Sequence, residues 1–129
     1  MQIAIVASDA KKELMTQFCI AYQGVLSRHS LCATAITGKY VSEATGLQIE
    51  RLLSGPQGGH EQIALRIAYN EIDVLFYFRD ANSPYSDTEM RIFNSCDMHN
   101  VPYATNLGSA ETVVLALDRG DLDWRTLLK

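Results

Sequence analysis

The segment Leu53-Ser54-Gly55-Pro56-Gln57-Gly58-Gly59-His60-Glu61-Gln62 sets three glycines and a proline in ten residues between two apolar stretches. Gly55, Gly58 and Gly59 permit positive φ and close backbone approach, and Pro56 fixes one turn. A helical pattern follows at once, so His60, Glu61 and Gln62 are expected on its first turn. Backbone N–H groups left free at such a helix start, together with the helix dipole, favour an anion. The same string also serves as a plain strand-to-helix turn without a ligand. Taken alone it does not choose between the two.

Working outward, Gln48–Leu53 reads as a strand that delivers the chain to this turn, and Glu61–Asn70 as the helix that leaves it. Ile72–Phe78 follows, with Val74-Leu75-Phe76-Tyr77-Phe78 as the most strand-like run of the chain. Arg79-Asp80 stands at its carboxyl end. A loop with Asn82, Ser83 and Pro84 leads to Tyr85, after which Ser86 or Asp87 caps a helix bearing Ile92, Cys96 and His99 on one face. Val101–Thr105 is a short peripheral strand, because Pro102 cannot donate to a ladder. Asn106-Leu107-Gly108-Ser109 turns into a last helix, Ala110–Asp118, and the apolar tail Gly120–Lys129 docks on the body or on a neighbour. On the amino-terminal side, Ile3–Ala7 is an apolar run suited to a parallel strand covered on both faces. Asp9 then caps a helix with Leu14, Phe18, Tyr22 and Val25 at helical spacing up to about Arg28. A second strand spans Leu31–Ile36, Thr37 caps a short helix Lys39–Ala44, and Gly46 closes it.

Five strands alternating with helices predict a three-layer α/β/α domain over residues 1–129, built on a five-stranded, mainly parallel, doubly wound sheet. Ligands of such sheets bind at the carboxyl edge, where strand order reverses. Ser8, Asp9 and Lys12, then Thr34, Thr37 and Gly38, then Ser54 to His60, and finally Asp80 all fall just after predicted strands. Lys12, in a first helical turn where a cation gains nothing from the dipole, fits an anionic ligand. The hydroxyls of Thr34 and Thr37 with the flexible Gly38 suit a small phosphate cradle at a strand end. The convergence of these separate signals on one edge favours a small phosphorylated metabolite or inorganic phosphate.

A net charge of −4, from 15 acidic and 11 basic residues, argues against a nucleic-acid partner, and there is no basic run to oppose it. The amino-terminal apolar run is too short to span a membrane and lacks a charged leader, which makes a cytoplasmic protein the expectation. Cys19, Cys32 and Cys96 are odd in number and widely spaced, so neither a disulfide framework nor a metal site is expected from them.

The motifs Ser42-x-Ala44-Thr45-Gly46, Leu53-Ser54-Gly55-Pro56-x-Gly58-Gly59-x-x-Gln62, Ile72-Asp73-Val74-Leu75 and Pro102-x-Ala104-Thr105-Asn106 resemble those of the methylglyoxal synthase family over nearly the whole chain. The resemblance implies a compact homo-oligomer, commonly a hexamer, with no metal or organic cofactor. It also implies a site for dihydroxyacetone phosphate, whose phosphate is eliminated. Carried over by position, the phosphate cradle includes Lys12, Thr34, Thr37, Ser54 and Gly55.

The departures lie in the chemistry. The residue after the paired glycines is the family's catalytic aspartate, and here it is His60. A family histidine is replaced by Ser8, next to Asp9, and a second corresponds to Tyr85 across a loop shortened after Asp80. A loop aspartate falls on Thr88, and the middle threonine of the cradle on Ile36. The catalytic candidates are therefore His60, Asp80, Asp9 and Tyr85. His60 is chemically able to act as a base and Tyr85 to donate to an oxyanion. Three readings stay open: a phospho-ligand-binding protein with altered catalytic positions, an active synthase with His60 as base, and a non-catalytic structural or regulatory subunit.

Overall fold

A computed structural model describes all residues, Met1–Lys129. Its five strands are β1 (Gln2–Ala7), β2 (Ser30–Ala33), β3 (Ile49–Arg51), β4 (Val74–Phe78) and β5 (Tyr103–Ala104). They form one sheet in the order β3-β2-β1-β4-β5, and all four pairings are parallel. The order reverses between β1 and β4, whose register runs from Ile3 opposite Val74 to Ala7 opposite Phe78.

Side-chain alternation along the two central strands splits the interior into two cores. Ile3, Ile5, Val74, Phe76 and Phe78 face one side, against Met15, Phe18 and Cys19 of α1 (Lys12–Ala21) and Leu26 of α2 (Gln23–Leu26). Val41 of α3 (Ala35–Thr45) and Val114 and Leu117 of α6 (Leu107–Asp118) complete that layer. Ala4, Val6, Leu75 and Tyr77 face the other side, against Ile63 and Ile67 of α4 (Gly59–Ala68) and Ile92, Phe93 and Cys96 of α5 (Asp87–His99). The chain is thus a three-layer α/β/α structure with a fully parallel sheet. The three cysteines are free and buried, and burial pushes their thiols up, Cys32 to about 11 and Cys96 to about 12.

Several element boundaries differ from the sequence reading, each for a local reason. Asp9 does not cap a continuous helix. Ser8 holds the cap position of a 3-10 turn, Asp9–Lys11, and the helix after it breaks at Tyr22. The second strand stops at Ala33, because the Ala35 N–H turns to the Leu53 carbonyl and Thr34 becomes the N-cap of α3 in place of Thr37. The helix after the glycine-rich turn starts at Gly59, two residues early, since Gly58 takes the left-handed cap conformation at φ 116°. The last helix begins at Leu107, where Asn106 accepts from the Ser109 N–H. The tail folds back on its own chain through a 3-10 segment, Asp123–Leu128.

Candidate functional site

At the carboxyl edge, directly over the reversal between β1 and β4, lies a cavity of about 360 Å³. A hollow of about 820 Å³ at the opposite edge, lined by Gln2, Ser27, His29 and Leu47 among others, is larger. The carboxyl-edge cavity is the one where loops after four strands converge, and it alone carries the glycine-rich turn.

That turn is held by backbone geometry. The Gly59 N–H donates to the Ser54 carbonyl at 2.8 Å, and the Leu53 N–H donates to Gln62 Oε1 at 2.8 Å. A Cβ on Gly59 would collide with the Leu53 and Ser54 carbonyls, and the residue at 58 must adopt positive φ. Gly55 leaves space of another kind: a Cβ there would lie 2.5 Å from His60 Nε2. The absence of a side chain at 55 is what lets the imidazole of α4's first turn lie close against the loop backbone.

Lys12 supplies the cavity's lysine charge from the start of α1. Its side chain is largely buried, and Nζ donates to the Ala7 carbonyl at 2.7 Å and pairs with Asp9 at 3.2 Å. The Asp9 side chain is itself fully exposed. Ser8 Oγ is buried with no hydrogen-bond partner, a cost that folds seldom carry without a use. Thr34 lines the cavity from the end of β2, and its hydroxyl lies 3.5 Å from that of Thr37 beneath it.

His60 sits half-buried on the cavity wall. Burial lowers its pKa below the usual imidazole value, with Lys12 acting in the same direction and Glu89 and Glu61 opposing. Its Nε2 lies 3.4 Å from the Tyr77 hydroxyl. Burial, then the charge and hydrogen bonding of Glu89, push the Tyr77 phenol up, so it stays protonated. Burial works against the charged form of Glu89, but the Ser86 N–H, the Tyr77 hydroxyl and Arg79 together outweigh it and hold the carboxyl below its ordinary range.

The cavity therefore brings together Asp9, Lys12, Thr34, Ser54, Gly55 and His60 of the residues singled out in the sequence. Four others lie elsewhere. Thr37 is buried behind Thr34. Gly38 makes room for Arg51, whose Cγ would stand 2.9 Å from a Cβ there. Asp80 closes a turn by accepting from the Asn82 N–H at 3.0 Å. Tyr85 lies exposed under the Arg79 guanidinium, 3.6 Å from its ring centre, and lines a separate groove with Phe93 and Tyr103. Among the lining residues that the sequence reading does not place at the site are Tyr77 and Glu89. Glu89 is discoverable as the fourth residue of a Ser-x-x-Glu capping box, while Tyr77 is hidden in an apolar strand.

The model of the MGS-like domain matches residues 15–105. A methylglyoxal synthase of Caldicellulosiruptor saccharolyticus is 49% identical over 130 residues, covering 99% of this chain and 92% of that protein. One from Brevibacillus brevis is 44% identical over 131 residues, covering 100% of this chain and 96% of its own length. The crystal structure of methylglyoxal synthase from Elizabethkingia anophelis NUHP1 superposes with a TM-score of 0.80 at 34% identity, covering 88% of this chain and 76% of that one. Matched through most of its length by the family model and end to end by these relatives, the chain belongs to the methylglyoxal synthase-like, or MGS-like, domain family.

Proposed function

We propose that the carboxyl-edge cavity binds a small phosphorylated ligand, dihydroxyacetone phosphate or inorganic phosphate. The observation that carries this reading is the Lys12 ammonium. It has three donors, and the fold uses two, on the Ala7 carbonyl and Asp9. The third is left for a ligand, in a cavity that also presents Ser54, Thr34, the Gly55 backbone and the unpartnered Ser8 hydroxyl. An anion here gains charge-assisted hydrogen bonds in a partly dry setting, where they are shorter and stronger than neutral ones. The name that the relatives bear, methylglyoxal synthase, supports a ligand of this chemical size.

Turnover is the second reading, and a specific observation favours it. His60 is on the cavity wall and kept neutral by burial, as a base beside a carbonyl must be. In this reading Lys12 holds the phosphate, His60 removes a carbon-bound proton next to the carbonyl, and the resulting enediolate expels phosphate. No metal or organic cofactor enters that scheme. On the resemblance, which sets His60, Ser8 and Tyr85 where the family has an aspartate and two histidines, the rate is expected to be well below an ordinary enzyme rate of ~10 s⁻¹.

Thermal melts with millimolar phosphate and with dihydroxyacetone phosphate test the binding reading, since a ligand of the native state raises apparent stability by mass action. A rise in Tm that Lys12→Ala abolishes supports it; equal shifts in the two proteins overturn it. Phosphate release from dihydroxyacetone phosphate, abolished in His60→Ala, supports turnover, and no release above background refutes it.

A further inference from the structure

Glu89 puts a carboxylate on the wall of a cavity suited to an anion, and that conflict of charge is informative. The groups that favour an anion, Lys12, Thr34, Ser54 and Gly55, reach the cavity from the segments that follow β1, β2 and β3. Glu89 reaches it from the first turn of α5, which follows β4. In the strand order β3-β2-β1-β4-β5, the anion-binding groups therefore belong to one side of the reversal and Glu89 to the other. At about 360 Å³ the cavity between them lies in the range of small-molecule pockets.

Two carboxylates line this cavity, Asp9 and Glu89, and their settings differ. The Asp9 side chain is fully exposed, so water screens its charge, whereas the Glu89 side chain is only 16% exposed. Glu89 is also fixed. Its Oε1 accepts from the Ser86 N–H at 2.9 Å, and Ser86 Oγ accepts from the Glu89 N–H at 3.1 Å. The bond from Ser86 takes one of the four or so acceptor sites that an ionised carboxylate has. Arg79 Nε stands 3.6 Å from Oε2, near enough to pair in charge but beyond hydrogen-bond length, and that nitrogen has no hydrogen-bond partner. The rest of the guanidinium is engaged outside the cavity, donating to the Ser83 carbonyl at 2.8 Å and stacking 3.6 Å from the centre of the Tyr85 ring. Glu89 is ionised at neutral pH, because its partners outweigh the opposing effect of burial. It is thus an acceptor with spare capacity and no proton to give.

A fixed, largely buried carboxylate repels a second anion and attracts a hydroxyl donor. We infer that Glu89 is a specificity-determining residue, which selects a phosphate ester bearing a remote hydroxyl over an ester without one and over inorganic phosphate. The phosphate lies toward Lys12, and the hydroxyl donates to Glu89. This rests on the reading of the cavity as a phospho-ligand site and is independent of turnover. A hydroxy ester gains a charge-assisted hydrogen bond. An ester lacking the hydroxyl leaves a desolvated carboxylate without that partner, and inorganic phosphate meets the repulsion with no remote donor to offset it. Of the two ligands proposed above, dihydroxyacetone phosphate carries such a hydroxyl.

Isothermal titration calorimetry with 3-hydroxypropyl phosphate, propyl phosphate and inorganic phosphate tests this. The two esters match in charge and chain length, differ by one hydroxyl, and have no carbonyl, so neither can enolise. The wild type should bind the hydroxy ester roughly tenfold more tightly than propyl phosphate, the scale of a hydrogen bond to a charged group. Glu89→Gln keeps the capping box, since a glutamine carbonyl still accepts from the Ser86 N–H, and removes the charge. It should reduce that ratio to about threefold or less and tighten inorganic phosphate. A role confined to capping α5 would alter all three affinities together, and an unchanged ratio overturns the inference. So does a wild type that binds the two esters equally. If Glu89→Gln does not fold, Glu89→Met, of similar length and without an oxygen acceptor, makes the same comparison, and a retained tenfold ratio again overturns it. Absence of binding by all three probes would overturn the phospho-ligand reading as well, whereas binding without preference overturns this inference alone.

Discussion

His60 and His29 make the acid sensitivity of this protein readable one residue at a time. Burial lowers the pKa of both, with Lys12 adding to the effect at His60 and the positive amino terminus adding to it at His29. The unfolded chain takes up these protons near pH ~6.5, whereas the native state takes them up only at lower pH. Between those values the unfolded state binds more protons, so stability is fully present above about pH 6.5 and is lost as pH falls through the native pKa. The carboxyls of Glu50, Asp73 and Glu89, held below their usual range by their partners, add a second loss of the same sign below about pH 4. Urea midpoints should therefore fall between about pH 7.5 and about pH 5.5, and His60→Gln should show a smaller fall. A variant that loses as much as the wild type would mean that His60 is ordinarily hydrated. At this scale, His60 is conspicuous in the sequence by its place after paired glycines, but its environment is not. The ring's burial comes from the space at Gly55 and from Tyr77, one on a loop and the other on a distant strand.

At the scale of elements, two glycines in helical settings have opposite roles. Gly59 opens α4, where a Cβ would meet the carbonyls of Leu53 and Ser54, backbone atoms that cannot rotate away. Gly59→Ala should cost about 3 kcal/mol and displace the loop that presents Ser54 and Gly55. Gly24 lies in α2 with nothing within 4 Å of the point a Cβ would occupy, and its φ is not positive. Gly24→Ala should raise stability by about 0.5–1 kcal/mol, through helix propensity and a less disordered unfolded chain. Calorimetry on the two variants checks both signs, and a stabilising Gly59→Ala would show that the turn is free to rearrange. The run 53–62 announces a tight turn, so the need for glycine is legible there. Which glycine touches what is not, because the colliding atoms belong to a chain path set by the pairing of β2 with β3 and the Ala35–Leu53 hydrogen bond.

The whole molecule is closed at the edge opposite the cavity by Arg125, which is completely buried. Its guanidinium donates to the carbonyls of His99 and Asn100 at the end of α5, to Asn70 Oδ1 after α4, and to Asp73 Oδ1 before β4. Asp73 in turn accepts from the Gln2 N–H at 2.8 Å and pairs with Lys129 at 2.9 Å. One side chain of the tail thus ties both helices of one layer to the starts of the two central strands. Removing it leaves a buried carboxylate with Lys129 as its one remaining cation, and Arg125→Met should destabilise by about 3 kcal/mol or more. Lys129→Ala, at a partly exposed partner, should cost about 1 kcal/mol or less. Chemical denaturation of the two variants tests the ranking, and equal losses would mean that the peripheral pair matters as much as the buried one. A tail of ten residues with three leucines and one tryptophan cannot fold alone, which is one motive for expecting a homo-oligomer. It packs on its own chain instead, although Leu127 and Leu128 stay exposed. No helix is long and apolar enough to cross a membrane.

The sequence by itself determined the alternation of strands and helices, the parallel three-layer architecture and the edge on which the loops would meet. Those follow from local quantities, the apolar period of each segment and the turn chemistry between them, which each stretch of chain carries without reference to the rest. The convergence of the loops after successive strands on one edge likewise pointed to Lys12, Ser54, Gly55 and His60 as neighbours. Tertiary structure alone decided that Tyr77 and Glu89 line the cavity with His60, that Asp80 and Tyr85 do not line it, and that Arg125 is buried. The reason is that a polar side chain's role is set by its partners. Here those partners lie 17 residues away for His60 and Tyr77, and 52 for Arg125 and Asp73, so no window of the sequence contains both members of a pair.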